Sequence, residues 1–316
     1  ASPDGGMPSA SSSVTEARAS SVSIRQRLLR LPKAELHVHL DGSIRPSTLL
    51  ELADERGVPL PADTPEGLQA WMTTGGPAPG TSGRSLESYL RRFDVTLAVL
   101  QDAGALERVA YELVLDHAAE NVRWVEIRFC PLLNTEDGLT PEGAVDAALR
   151  GLRRAETEAD VRGCVIVCAL RTLEPVTSIE VAELAVAYRS RGVCGFDIAG
   201  AEAGYPVKDH AVAFARAARG GVPITVHAGE AYGPDSIRQA LDVGHARRIG
   251  HGTRLHEDPS LLEAVRRQGV PLEVCLTSNV QTGVVASISA HPSRRYHLAG
   301  VPVSLATDNR LVSGVT

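Results

Sequence analysis

The sequence predicts an α/β fold, a (β/α)8 TIM barrel with extra helices inserted between the first and second strands. Three observations carry that expectation. Eight short apolar runs recur along the chain, each of strand length. Segments with helical spacing separate them, and strands alternating with helices make a parallel sheet. Polar residues gather at the carboxyl ends of the runs, where the βα loops of a barrel build its functional face.

The elements follow in chain order. Residues 1–22, ASPDGGMPSASSSVTEARASSV, have little to bury and are expected to form a disordered tail. Residues 23–316 are expected to form a single barrel domain, with helical spacing from Ser23 and a first run at AELHVHL (34–40). A long stretch precedes the second run. Within it TTGGPAPGTSGR (73–84) reads as a flexible break. RSLESYLRRFDVTLAVLQ (84–101) reads as a helix, with Leu86, Tyr89, Leu90, Phe93 and Leu97 on one face. The remaining runs are VRWVEIRF (122–129), CVIVCAL (164–170), VCGFDIA (193–199), VPITVHA (222–228), RRIGH (247–251), VPLEVCL (270–276) and VPVSLAT (301–307). Between them, segments such as PEGAVDAALRGLRRAETEA and SLLEAVRRQ carry helical spacing.

Composition agrees with this organisation. The 316 residues suit one α/β barrel, which needs roughly 250. Hydrophobic residues make up 43% but aromatics only 4%, so the core is built from Val, Leu, Ile and Ala, as buried parallel strands require. A net charge of −6 gives no electrostatic reason to expect a nucleic-acid or anionic-membrane partner. No run approaches the ~20 apolar residues that span a bilayer, and no secretory signal is visible, so a cytoplasmic location is expected. Cys130, Cys164, Cys168, Cys194 and Cys275 lie in or beside apolar runs without a Cys-x2-Cys pair, and are expected to be buried, reduced thiols.

The first run ends in His37-Val-His39, and alternation along a strand puts both imidazoles on one side. His227 ends the fifth run and Asp308 the eighth, and barrel closure can bring all four together. Three imidazoles and a carboxylate suit Zn2+, although iron, nickel and cobalt accept the same donors. The bland reading is four buried polar residues that satisfy one another. It is disfavoured, because converging unpaired polar groups are costly to bury.

In order, LPKAELHVHLDGSIRP, VHAGE, IGHG, LTSNVQTG and SLATDN resemble the adenosine deaminase family of metal-dependent hydrolases, over about residues 31–316. The resemblance implies His37, His39, His227 and Asp308 as ligands of one Zn2+ per chain. It implies Glu230 as catalytic acid and His251 as the histidine beside the reacting water, with Asp308 assisting. Asp41 would hold the ribose hydroxyl, Gly200 would contact the purine through its backbone, and Leu86, Tyr89 and Phe93 would wall the sugar. The sequence departs from the family at Asn309, where an Asp often donates to purine N7, and an Asn amide can donate there too. The family continues through a closing helix, whereas this sequence ends at Thr316, eight residues after Asp308.

The activity so implied is hydrolytic deamination of adenosine, and of deoxyadenosine, by hydroxide attack at purine C6 with Glu230 donating a proton. The partner is a small purine nucleoside, with no nucleic acid and no membrane. Adenine or a modified adenosine is the nearest alternative substrate, and Asp41 favours a sugar-bearing one. A binuclear amidohydrolase would need a bridging group at the end of the fourth run, where Ile198-Ala199-Gly200 stands instead. A non-catalytic purine-binding homologue would have no use for Glu230. His117, His210, His245, His256, His291 and His297 are expected at the surface. Ser278 and Asn279 are expected only to shape the pocket, and the Asp197 carboxylate to support a metal-binding residue from behind or to serve as a structural acceptor.

Overall fold

The computed structural model describes residues 23–74 and 85–316. The tail at 1–22 and most of the break at 73–84 therefore lie outside the described residues. Eight parallel strands follow one another: β1 (Lys33–His39), β2 (Val122–Phe129), β3 (Arg162–Leu170), β4 (Val193–Ala199), β5 (Thr225–Ala228), β6 (Arg248–His251), β7 (Leu272–Val274) and β8 (Val303–Leu305). They pair as two four-stranded sheets, β1–β4 and β5–β8, each in sequential order. Isolated parallel bridges at Phe196↔Ile224 and Val38↔Asp308 join the two sheets at both seams and close the ring. The second bridge matters for function, since it couples the end of β1 to the residues after β8.

The helices between strands carry their own start and stop signals. Pro141–Glu158 begins with Pro at its first position, and the Thr140 hydroxyl accepts from Gly143 N. Its buried face, including Ala144, Ala148, Leu152 and Ala155, repeats at helical spacing. It packs on Ala103–Ala119, and Gly151 permits the approach, since a Cβ there would lie 2.2 Å from Glu107 O. Pro259–Gln268 is capped by Asp258 and ends at the left-handed Gly269.

Three expectations are corrected. The described part of the 84–101 stretch, from Ser85, does not form one helix but two short ones, Leu86–Leu90 and Phe93–Leu97. Between them the backbone tightens to three-residue bonds, Arg92 N to Tyr89 O and Val95 N to Arg92 O, and the Arg92 guanidinium turns inward to donate to Met72 O at 2.7 Å and Thr73 O at 3.2 Å. Cys164 and Cys194 are not reduced thiols. They stand on the neighbouring strands β3 and β4 with Cα atoms 5.8 Å apart, within disulfide reach, and are bonded. The other three cysteines are free and buried, as expected. Finally, His117, His210 and His291 are buried rather than superficial, each with a hydrogen-bond partner inside the fold.

Candidate metal centre and active site

The register of β1 against the segment after β8 assembles the first part of the site. Asp308 N donates to His37 O at 2.9 Å, and His39 N donates to Asp308 O at 2.7 Å. This ladder sets the Asp308 carboxylate beside both imidazoles, with Asp308 held in the left-handed region at φ 63°. His227 arrives from β5, opposite Gly250 of β6. A side chain at Gly250 would meet His37 Cε1 at 3.0 Å, so the glycine makes room for the ring.

Four donor atoms, from His37, His39, His227 and Asp308, lie within 4.8 Å of one another. His39 Nε2 is 3.1 Å from His227 Nε2, and Asp308 Oδ1 is 3.4 Å from His37 Nε2 and 3.5 Å from His39 Nε2. A tetrahedron with edges of about 3.3 Å has corners about 2.0 Å from its centre, the usual Zn–N and Zn–O distance. His37 Nε2 is buried and has no hydrogen-bond partner, as a donor reserved for a cation would be. The donor set therefore fits a single divalent ion.

Behind these rings sits a charged network of which the sequence reading named only Asp197, as one of two alternatives. His37 Nδ1 is 2.8 Å from Glu273 Oε2, and His227 Nδ1 is 2.9 Å from Asp197 Oδ2. The hydrogen bond to Glu273 holds the proton of His37 on Nδ1, which leaves its Nε2 bare toward the centre, while at His227 the Asp197 carboxylate lies beside Nδ1 as an ion-pair partner without hydrogen-bond alignment. Fully buried Arg128 joins the two carboxylates, 2.7 Å from Asp197 and 2.8 Å from Glu273. Burial alone would push both carboxyls up. The opposing charges, Arg128 foremost for Glu273 and His227 and Arg128 for Asp197, hold them below the ordinary range instead. The available signal was a charged residue between apolar neighbours, Glu273 between Leu272 and Val274 and Arg128 between Ile127 and Phe129. Replacing Arg128 with Met should cost about 3–5 kcal/mol, because two carboxylates would stay buried without their cation. The urea midpoint measures this, and an unchanged midpoint would show that the network is not structural.

Glu230 follows β5 on a loop that buried Glu202 clamps. The Glu202 carboxylate accepts from Gly229 N at 2.6 Å, Glu230 N at 3.0 Å and Tyr232 N at 2.8 Å. Burial, followed by the negative charges of Asp308 and Glu202, raises the Glu230 carboxyl well above its usual range, so it holds its proton. His251 ends β6 at φ 63°, with Nε2 3.5 Å from Glu230 Oε2. Burial lowers its imidazole well below the ordinary value.

These groups line one side of a cavity of about 300 Å3, and Leu86, Tyr89, Phe93 and Leu97 line another. Asp41 and Gly200 also face it. Burial pushes the Asp41 carboxyl up to about 7. Gly200 takes φ 94°, a conformation that glycine adopts without strain. Asn309 donates to Tyr89 Oη at 2.9 Å, and that hydroxyl pairs with Ser313 Oγ at 2.8 Å. Gly42 is required beneath Asn309, since a Cβ would fall 1.8 Å from Asn309 Oδ1. The predicted catalytic, substrate-side and metal-binding residues all line this one cavity except His37, which is fully buried behind it and reaches the metal cluster from there.

Residues 32–316 match the family described as adenosine deaminase. The chain belongs to the adenosine deaminase family. A relative from Mycolicibacterium vanbaalenii named adenosine deaminase is 44% identical over 299 residues, covering 90% of this chain and 81% of the relative. Among solved structures, an adenine deaminase from Arthrobacter aurescens superposes with TM-score 0.82 at 29% identity, over 90% of this chain and 84% of that one. An amidohydrolase from Burkholderia ambifaria with bound Zn has TM-score 0.81 at 25% identity, over 95% of this chain and 82% of that one. Adenosine deaminase family membership accounts for the order of the motifs around the ring. No helix among the described residues is long and apolar enough to cross a membrane.

Proposed function

We propose that this chain hydrolyses adenosine, and deoxyadenosine, to the inosine product and ammonia, using one zinc ion held by His37, His39, His227 and Asp308. The observation that carries the reading is the meeting of a four-donor metal cluster with the buried Glu230 carboxyl in one cavity, where burial raises that carboxyl well above its usual range. The chemistry such an ion supplies is acidification of water, so that hydroxide is available near neutral pH.

The chain's own residues supply the rest. Attack at purine C6 drives electron density onto N1, and Glu230 donates a proton there. Asp308 and His251, which face the cavity together, orient the attacking oxygen and stabilise the charge that develops. Leu86, Tyr89 and Phe93 exclude water from the sugar side, and Asp41 takes a ribose hydroxyl. Gly200 offers its backbone to the purine, and Asn309 offers its second amide hydrogen to N7. Cytoplasm is the expected place of action, supported by three free buried thiols, with the Cys164–Cys194 bond standing against it.

An adenine-specific reading is the one competitor worth keeping, given the adenine deaminase among the structural neighbours. The ultraviolet change on deamination, followed with adenosine, deoxyadenosine and adenine and with or without a chelator, tests both. Adenosine should turn over fastest, and chelation should stop it. Asp41→Ala should cut kcat/KM on adenosine about 10- to 100-fold, the worth of a hydrogen bond to a charged group. The rate on adenine should be unaffected. Equal losses on both substrates would remove Asp41 from the sugar site.

A further inference from the structure

We infer that His291, acting through Asn279, fixes the tautomer of His251, so that the ring proton sits on Nε2 and Nδ1 is a bare acceptor. The chain of reasoning starts at a backbone amide. Ser293 N donates to His291 Nδ1 at 3.1 Å, so that nitrogen carries no proton. Neutral His291 therefore bears its proton on Nε2, 3.1 Å from Asn279 Oδ1. Burial lowers the His291 pKa to about 4, in keeping with a neutral ring.

That bond decides which way the Asn279 amide faces. Turned over, its NH2 group would confront the His291 N–H, donor against donor. In the remaining orientation Oδ1 accepts from His291 and from Thr253 Oγ1 at 2.7 Å. The NH2 group then points at His251 Nδ1, 3.1 Å away, and at Glu230 Oε1, 3.4 Å away. A nitrogen that accepts from an amide cannot also be protonated, so His251 carries its proton on Nε2.

Two consequences follow for the reaction. His251 faces the reacting oxygen as a hydrogen-bond donor and takes up no proton at Nε2 while neutral. Glu230 Oε1 accepts from the same Asn279 amide, while the Thr282 hydroxyl beside it donates to Ser278 O at 3.0 Å, so the Asn279 contact favours the acidic proton on Oε2. His291 is then a positioning residue, acting on the cavity from behind it.

The inference rests on the place given to His251 above, yet its test needs no turnover. Ring-nitrogen NMR of the zinc-loaded full chain reads the tautomer, with the His251 signals assigned by their loss in His251→Gln. A bare Nδ1 and protonated Nε2 are expected, and a protonated Nδ1 would overturn the relay. His291→Phe removes the donor. It should mix the His251 tautomers and lower kcat about fivefold, the rate equivalent of one hydrogen bond, with KM little changed. His291→Gln puts an amide donor where imidazole Nε2 stood and should restore the spectrum and kcat to within about twofold. An unchanged spectrum in folded His291→Phe, or no rescue by Gln, would also overturn it. If the Phe variant does not fold, the wild-type and Gln spectra decide. An inactive protein that still shows the Nε2–H ring would sink the deaminase reading and leave the relay standing.

Discussion

Glu230→Gln is expected to lower kcat on adenosine by at least about 100-fold, the low end for loss of a general acid, while a full complement of metal is retained. The side chain keeps its shape, and its amide still meets Asn279 and Thr282, but it has no acidic proton for N1. The pH profile carries a second signature. Burial and the charges of Asp308 and Glu202 raise this carboxyl far above its ordinary 4.5, so the acid form survives to higher pH. Activity due to Glu230 should therefore fall as pH rises through the folded-state pKa. Stability moves the same way. Above about 4.5 the unfolded chain has released this proton and the folded chain has not, so stability declines with rising pH until the folded group ionises. Gln removes that slope. Kinetics and denaturant melts across pH, with metal analysis alongside, check all three, and near-normal turnover in Glu230→Gln would refute the assigned role.

His227→Ala is expected to remove metal and activity together. Loss of a group that only orients a ligand costs roughly 10- to 100-fold in metal affinity, so loss of a ligand itself should cost more. The truncation also strands the Asp197 carboxylate, whose imidazole partner lay 2.9 Å away. Because an ion binds the folded chain, its departure should lower the melting temperature, and chelation of the wild type should do the same. Metal content after dialysis, read with turnover and melting, distinguishes the outcomes. A variant that keeps stoichiometric metal would take His227 out of the ligand set. One that loses metal but keeps its rate would separate the ion from the chemistry.

Much of this site was readable from residues alone, for a specific reason. A barrel strand ends where its apolar run ends, so His37, His39, His227, His251 and Asp308 announced their shared face by position. The strand runs were legible because most strand positions are buried, which concentrates apolar residues there. Failures came where a local signal pointed elsewhere. The spacing over 84–101 is helical throughout, yet the backbone shifts to three-residue bonds at Arg92, whose side chain turns inward to Met72 O. His291 follows a loop of small residues and looks superficial. It is buried because Asn279, twelve positions earlier, returns beside it. The Cys164–Cys194 bond depends on which strands are neighbours, and no spacing rule states that.

By itself the sequence determined the succession of strands and helices, the family, and the residues that end each strand. These depend on short-range periodicity and on residue type. Only the tertiary structure decided the spacing among the four metal donors, the Arg128 bridge behind them, and the direction of each proton around Asn279. Such properties arise where groups far apart in the chain are forced together without water. There a hydrogen bond or a charge must find its partner within the protein, and the partner's identity is set by closure of the ring.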